Sequence, residues 1–520
     1  MAKYSKVMIV STGLLSLDRA PAASAWLAGM CERYPIEYEV FDFNVHLKNV
    51  LGTSLWEKLF VIPVEDDGFP SMDPALLVQV KEAIASGVDL IFQHSPDLIA
   101  MTVLSYIQYP YTKLVLEAIR TKTAVTIIAG GTGISYQTSQ GSTVGRRLLD
   151  ENLLDYYVLG EGDDVFKLFL DGELALGINH KDNQWESWVP QINELDGLTF
   201  PSYKKINLAD YEQTEINNRS MATATITGSR GCVRRCTFCD IGHVWKKFRF
   251  RSADDIAKEI VQHYLDTKIL RYHFSDSLIN GSLKHFVALM ERLVELHTEY
   301  PELKDLQIDG QFIIREKKHH PEYMYELMRK SGVFRVEAGI ESGSERVREH
   351  MGKKFSDEDL DYHYEMSSKH DITNSLLLFT GYPTETIEDH QDTLNLLKRY
   401  QKYLVDGTIS MLVLSEPMIL LRNTPLANMQ DELGLVLFNN EYGNTLWTAD
   451  TNPTFTVEEK YRRYLETNRL SLELGYPRSF DVVQRTIDLI KEISYLKQTD
   501  FMDIECGQPF CLIFDTLSKY

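Results

Sequence analysis

The strongest constraint on the fold is an alternation that runs through most of the chain: short apolar runs, then longer amphipathic stretches. In the first part, "KVMIV" (6–10), "YEVFDF" (38–43), "DLIAMTVL" (97–104), "AVTIIAGG" (124–131) and "DYYVLGEG" (155–162) are rich in β-branched residues and end in glycine or polar turns. Runs of that length and content read as strands buried on both faces. Residues 74–85 and 111–120, between them, read as helices. The pattern predicts an α/β domain, a doubly wound parallel sheet with ligands at the carboxyl ends of its strands.

Residues 178–220 break the alternation. They are polar, with scattered Trp, Pro and Gly and no clear period, and read as a connecting segment that packs in places. Alternation resumes with "MATATITGS" (221–229), "LRYHFS" (270–275), "DLQIDGQFII" (305–314), "VFRVEAG" (333–339), "NSLLLFTG" (374–381) and "GTISMLVLS" (407–415) as strands. Helices are expected near 252–265, 283–297, 321–331, 357–369 and 386–403. Six β/α steps predict a partial (β/α)6 barrel, with its chemistry in the loops after the strands. From about 430 the texture changes, and 457–475 and 480–498 read as amphipathic helices. The expected division is therefore 1–180, a connection over 181–220, a barrel over 221–430 and a small helical C-terminal cap over 431–520.

Lys and Arg number 54 against 75 Asp and Glu, a net charge of −21. That field repels phosphate backbones and anionic lipid, so a nucleic-acid partner is disfavoured. No apolar stretch reaches the roughly 18 residues a membrane span needs, and the N-terminus lacks a signal-peptide pattern. Six cysteines in 520 residues are no disulfide framework. The expectation is a cytoplasmic protein.

Three of those cysteines, Cys232, Cys236 and Cys239, fall within eight positions of "GCVRRCTFCDIG", in the loop after the first expected barrel strand. Spacing C-x3-C-x2-C points to a bound metal. Zinc would use His243 as a fourth ligand in a closed structural site. An iron–sulfur cluster would be left with one open iron, where chemistry can occur. The loop also carries Arg230, Arg234, Arg235, Lys246, Lys247, Arg249 and Arg251 against the single acid Asp240, a setting that suits an anionic cluster.

These cysteines, with Phe238 before the last of them, resemble the signature of the radical SAM superfamily. "GIESGS" (339–344) resembles its segment that contacts S-adenosylmethionine (SAM), and "GYPTET" (381–386) resembles a later turn in which the family has glycine where Thr384 stands. In the first domain "PDLIAMTVLS", "IIAGGTG" and "VLGEGDD" are similar to the cobalamin-binding module of the B12-dependent class. That class coordinates cobalt through an Asp-x-His-x-x-Gly motif when it uses a lower histidine. Here the loop reads "STGLLSLDRAP", without histidine, and His46 in "DFNVHLKN" does not fit the motif.

The resemblance implies a [4Fe–4S] cluster on Cys232, Cys236 and Cys239. It implies SAM contacts from Phe238, Asp276, Arg315, Gly339, Glu341 and Ser342. Arg346 is the alternative partner for Glu341, and a surface ion pair the alternative for Arg315. Cobalamin would lie on Ser105, Gly130, Gly131, Thr132, Gly160, Glu161 and Gly162, with no histidine below the cobalt; a degenerate domain that binds no corrin is the other possibility. The implied reaction is reductive cleavage of SAM, hydrogen abstraction from an unactivated carbon of a small-molecule substrate, and methylation from cobalamin. A flavodoxin- or ferredoxin-like donor would supply electrons. Cyclisation, rearrangement or oxidation without methyl transfer is a second reading, and a non-catalytic zinc or cobalamin module a third. Cys31, Cys506 and Cys511 are expected to be buried apolar residues, with a thiol donor or auxiliary cluster ligand at the barrel mouth the alternative for Cys506 or Cys511.

Overall fold

The computed structural model describes residues 3–13, 16–59, 72–105, 108–137, 141–216, 218–415, 417–437 and 447–477. It divides into two compact units, Met1–Thr225 with Asp255–Tyr272, and Ile226–Asp254 with the chain from His273 onward. The expected helix at 480–498 and Cys506 and Cys511 lie outside the described residues.

The first unit is built on β1 (Lys6–Ser11), β2 (Glu37–Asp42), β3 (Leu98–Thr102), β4 (Thr126–Gly130), β5 (Tyr156–Val158) and β6 (Ile178–Asn179), in the order β2-β1-β3-β4-β5-β6. The first five are parallel, as expected. β6, part of the segment taken as a connection, closes the edge antiparallel to β5. Every residue of β3 is buried, which is why the strand reads as an unbroken apolar run. Val7, Ile9, Leu98, Ala100 and Ile128 pack on one side against Ala28 and Met30 and against Phe166, Phe169 and Leu170. The helix Pro74–Gln93 runs eight residues past the expected end, because its stripe Val80, Ile84, Val88 and Ile91 continues; Asp73 caps it by accepting from the amides of Ala75 and Leu76.

Residues 200–222 fold back on this unit. Ser202 Oγ donates to Glu32, Tyr211 OH donates to Asp42, and β7 (Gln213–Ile216) and β8 (Arg219–Ala222) form a hairpin. Scattered polar residues hid that hairpin from any periodicity argument.

The second sheet has the order β16-β15-β14-β13-β12-β9, where β9 is Ala224–Ile226, β12 Arg271–Phe274, β13 Gln307–Phe312, β14 Val333–Glu341, β15 Thr373–Leu378 and β16 Ile409–Leu414. β13 to β16 are parallel neighbours. Sequential order with a helix in each crossover is the arrangement of an incomplete barrel. Ala338, Ile340, Leu376, Leu378, Leu412 and Leu414 pack with Leu360, Tyr364, Leu397 and Tyr400 of the covering helices Asp357–Lys369 and Ile387–Tyr400. Both helices start on capping boxes, Ser356 with Asp359 and Thr386 with Asp389. The helix Glu322–Ser331 ends at Gly332, whose φ of 102° needs glycine.

Two expectations change in detail. The single strand expected over 221–229 is three pieces: the end of β8, then β9, then β10 (Ser229–Arg230), which leaves the sheet to pair antiparallel with β11 (Arg249–Phe250). The C-terminal region is not purely helical: β17 (Leu435–Leu437) and β18 (Trp447–Ala449) form a hairpin around the fully buried Trp447, followed by the helix Val457–Glu473. No helix among the described residues is long and apolar enough to cross a membrane.

Candidate functional site

The β10–β11 pair ties together the two ends of the loop that carries the cysteines: Ser229 faces Phe250 and Arg230 faces Arg249. Asp276, just past β12, fixes the approach to the loop. Its buried carboxylate accepts from Gly228 N (2.7 Å) and Ser229 Oγ (2.7 Å). Burial pushes that carboxyl up to about 6, against the lowering effect of its hydrogen bonds. Asp276 therefore positions backbone.

Within the loop Thr237 is held from three sides. Its amide donates to Met351 O (3.0 Å), its carbonyl accepts from Leu426 N (2.8 Å), and its hydroxyl shares a hydrogen bond with Tyr382 OH (2.8 Å). Tyr382 OH lies 2.8 Å from His350 Nδ1. Cys232, Cys236 and Cys239 are free thiols, part-buried, and burial raises all three, Cys239 to about 11. A metal that takes them must displace protons.

Four-coordinate zinc with bonds of about 2.3 Å draws its sulfurs to about 3.8 Å from each other. Among the described residues the one set of three or more His, Cys, Asp or Glu ligand atoms all within 4.8 Å of one another is His273, Asp309 and Glu337, inside the second sheet. The three sulfurs form no such set, with or without the exposed His243.

Charge is arranged around the thiols. Lys353 donates to Gly339 O (2.8 Å) and to Glu341 Oε1 (2.8 Å), and its Nζ stands 5.7 Å from the centre of the Phe238 ring. Burial opposes the charge on Lys353, but Glu341 and Cys236 outweigh it and its pKa ends above the ordinary value. Glu341 has φ of 70° at a register shift in β14, a strained setting for a side chain with a Cβ. A Cβ at Gly339 would lie against Glu341 Oε1 and Lys353 Nζ, the ends of two flexible side chains. Arg315 donates to Asn280 O (2.9 Å) and Gly281 O (2.8 Å), while its buried Nε has no hydrogen-bond partner. Burial lowers its pKa, and neighbouring Arg234 lowers it further; Cys232 acts the other way. A half-buried guanidinium with an unsatisfied Nε donor beside a thiol fits an anionic ligand.

Of the expected SAM residues, Phe238, Gly339 and Glu341 thus meet around Lys353, and Arg315 belongs with Cys232 and Arg234. Ser342 is turned into its own chain, where its Oγ accepts from Ser344 N (3.2 Å). Arg346 is not Glu341's partner: it binds Asp389 and Thr384 O. In "GYPTET" Glu385 is almost fully buried, accepts from Gly381 N and pairs with buried Arg463 at 3.0 Å. Lys353 carried no sequence signal, since its partners lie 12 or more residues away.

At the carboxyl ends of the first sheet the means are different. Gln108, fully buried, accepts through Oε1 from Leu104 N (2.7 Å) and Ser105 N (3.0 Å), and donates through Nε2 to Thr12 O (2.7 Å) and Gly13 O (3.0 Å). One amide thereby joins the loops after β1 and β3. Thr132 Oγ1 donates to Leu104 O. Leu104 itself is 57% exposed at the strand end. Gly131 (φ 108°) gives way to protein: a Cβ there would strike Val103 O. Gly160 is likewise closed by Val189, and Glu161 accepts from Ile192 N (3.0 Å), holding the segment after β6. Gly130 and Gly162 stay open: a Cβ at either would meet nothing nearer than 3.9 Å. His46 is no metal ligand; its Nε2 lies 2.9 Å from Ala83 O and 3.0 Å from Ser86 Oγ, and its ring packs on Phe41 and Phe43. Cys31 is a fully buried thiol pushed by burial up to about 12.

Residues 226–397 match the radical SAM superfamily. The chain is 25% identical over 398 residues to the cytidylyl-2-hydroxyethylphosphonate methyltransferase of Streptomyces wedmorensis, covering 68% of each chain. In fold it is similar to the radical SAM methyltransferase TsrM of Kitasatospora setae, solved with tryptophan and a SAM analogue (TM-score 0.61, 16% identity, 91% of this chain and 89% of that one). It is similar as well to the cobalamin-dependent SAM radical enzyme OxsB, solved with aqua-cobalamin (TM-score 0.62, 15% identity, 95% and 71%).

Proposed function

The chain is a radical SAM enzyme, and on that premise we propose that it methylates an unactivated carbon of a small-molecule substrate, with cobalamin as the methyl carrier. The observation that carries the reading is a loop of three part-buried thiols, pinned at both ends and faced by Arg234, Arg315 and Lys353.

Cys232, Cys236 and Cys239 would hold the [4Fe–4S] cluster, which supplies the one electron that splits SAM into methionine and a carbon radical. The residues around it have definable tasks. Thr237, through Tyr382 and His350, fixes the loop. Lys353 is kept charged by Glu341, so the cysteine side of the site stays electropositive although it is shielded from water. Arg315 Nε remains available to an anionic oxygen, such as the carboxylate of SAM's methionine moiety. Asp276 holds the backbone that leads into the loop.

Ser105, Gly130, Thr132 and Leu104 would meet the corrin, which supplies a transferable methyl group. Gln108 keeps those loops in register. The described residues of the loop that directly follows β1 include no histidine, and exposed Leu104 offers an apolar contact instead. Leu104 would contact the corrin through its apolar side chain. A flavodoxin- or ferredoxin-like protein is the expected electron donor.

The test is product mass. Anaerobically reconstituted enzyme with reductant, SAM and cobalamin should convert a metabolite into one heavier by a methyl group. SAM cleavage with an unchanged or lighter product would transfer the assignment to cyclisation, rearrangement or oxidation.

A further inference from the structure

The second sheet has two unlike faces. Along β14, Val336, Ala338 and Ile340 are fully buried against helices, whereas Arg335 and Glu337 keep 22% of their side chains exposed. Parallel strands ordinarily bury apolar residues on both sides. Here the other face is polar in register: Gln311 on β13 stands opposite Glu337, and Glu337 opposite Ser375 on β15. Gln311 is exposed near the carboxyl end of a central strand. Ser375 is 1% exposed, yet its Oγ has no hydrogen-bond partner. Arg335 Nε is also buried without one. Buried polar atoms left unsatisfied on one open face mark a place where another molecule's polar groups belong.

Charge tells which groups. Asp309 Oδ1 lies 2.5 Å from His273 Nδ1, and its Oδ2 accepts from Arg335 at 3.0 Å. Asp309 thereby takes both basic neighbours. Glu337 is left with Arg335 at 3.9 Å and, among the described residues, no closer cation. The row offers a carboxylate and an amide beside two groups, Ser375 Oγ and Arg335 Nε, that can each donate.

We propose that this row anchors the substrate, and that the substrate carries a cationic nitrogen, an ammonium or guanidinium, placed on Glu337 and Gln311, next to a neutral oxygen acceptor for Ser375 and Arg335. The proposal rests on the barrel being the reaction site, as set out above. A phosphate or carboxylate in the same position would meet Glu337. A divalent ion on His273, Asp309 and Glu337, whose ligand atoms lie within 4.8 Å of one another, is the rival occupant that the test below includes.

Saturation-transfer NMR on the reconstituted enzyme tests this with four small probes: butylammonium, butylguanidinium, butanol and butyrate. One or both cations should bind, at least tenfold better than butanol, with butyrate undetected. Glu337→Gln should lose that binding at least tenfold and Glu337→Asp should retain part of it. Ser375→Ala should lose a smaller factor. Iron content and near-ultraviolet circular dichroism of each variant check folding. Equal binding of cation and butanol, preference for butyrate, cation binding that survives Glu337→Gln, or binding of manganese chloride lost in the same variant would each overturn the proposal. None of these readouts depends on SAM cleavage, so failure here is distinguishable from failure of the radical SAM reading, which would show as an enzyme that loads no cluster or cleaves no SAM.

Discussion

The carboxyl ends of the two sheets solve the same problem by opposite means. In the first unit the strand-end loops are locked to one another by backbone hydrogen bonds and one buried amide, and the side chain they present is the apolar Leu104. In the second unit they present thiols and charges, with Lys353 suspended between Gly339 O and Glu341. The first surface suits a large ligand held by shape. The second suits an anionic, reactive one held by coordination and charge. The lesson is that the two regions should fail differently: the first through its backbone, the second through single side chains.

The largest effect is expected at the cysteines. Cys232→Ala, Cys236→Ala or Cys239→Ala should each abolish SAM cleavage and brown colour while the far-ultraviolet spectrum stays native, read by iron assay and 5′-deoxyadenosine release.

Next is Lys353→Met. It leaves the part-buried Glu341 without its ion-pair partner. Reduced stability in denaturant and SAM cleavage lowered by at least tenfold should follow. A wild-type rate would mean that charge is not how this region works.

In the first unit, Gly131→Ala and Gly130→Val form a pair. Alanine at Gly131 meets Val103 O in a left-handed backbone, so it should destabilise the fold by about 1–2 kcal/mol as well as weaken cobalamin binding. At Gly130 a Cβ has room from the protein, so the valine variant should weaken cobalamin binding with a smaller loss of stability than Gly131→Ala. Neither should change iron loading. Loss of the cluster in either would break the contrast between the two regions.

A smaller effect concerns pH. Asp276 has a folded-state pKa of about 6, above the ordinary carboxylate value near 4. Between those values the folded chain holds a proton that the unfolded chain has released, so this group's contribution to stability falls as pH rises from about 4 to 6. Asp276→Asn should remove that slope, seen as the difference in melting temperature between the two proteins across the window. A difference that does not change with pH would contradict it. The smallest effect is at Cys506 and Cys511, whose alanine variants should keep full iron content.

Reading the sequence reached the site where chemistry is local and stopped where it is not. C-x3-C-x2-C is legible because one loop supplies all three thiols. Strands β3 and β14 are legible because burial on two faces, or on one, writes itself into an unbroken or alternating run. Gln108 and Lys353 are not, because each works through groups brought to it by the fold: Gln108 reaches back 96 residues to Thr12. The glycines were legible as glycines but not in their cause. Gly131 and Gly160 were expected to admit a ligand, and they admit Val103 and Val189. Asp276 sits at the expected strand end, yet its oxygens are spent on Gly228 and Ser229. The hairpin β7–β8 escaped because its polar strands have no apolar alternation to read.

The most direct test of the account follows the methyl group and the radical in one experiment. Reconstituted enzyme, reductant, cobalamin and SAM carrying a deuterated methyl group are incubated with a metabolite pool rich in amines, and products are read by mass spectrometry. The account predicts 5′-deoxyadenosine together with a product heavier by one deuterated methyl group, both lost in Cys236→Ala. 5′-Deoxyadenosine without any labelled product, under conditions where cobalamin is bound, would contradict it.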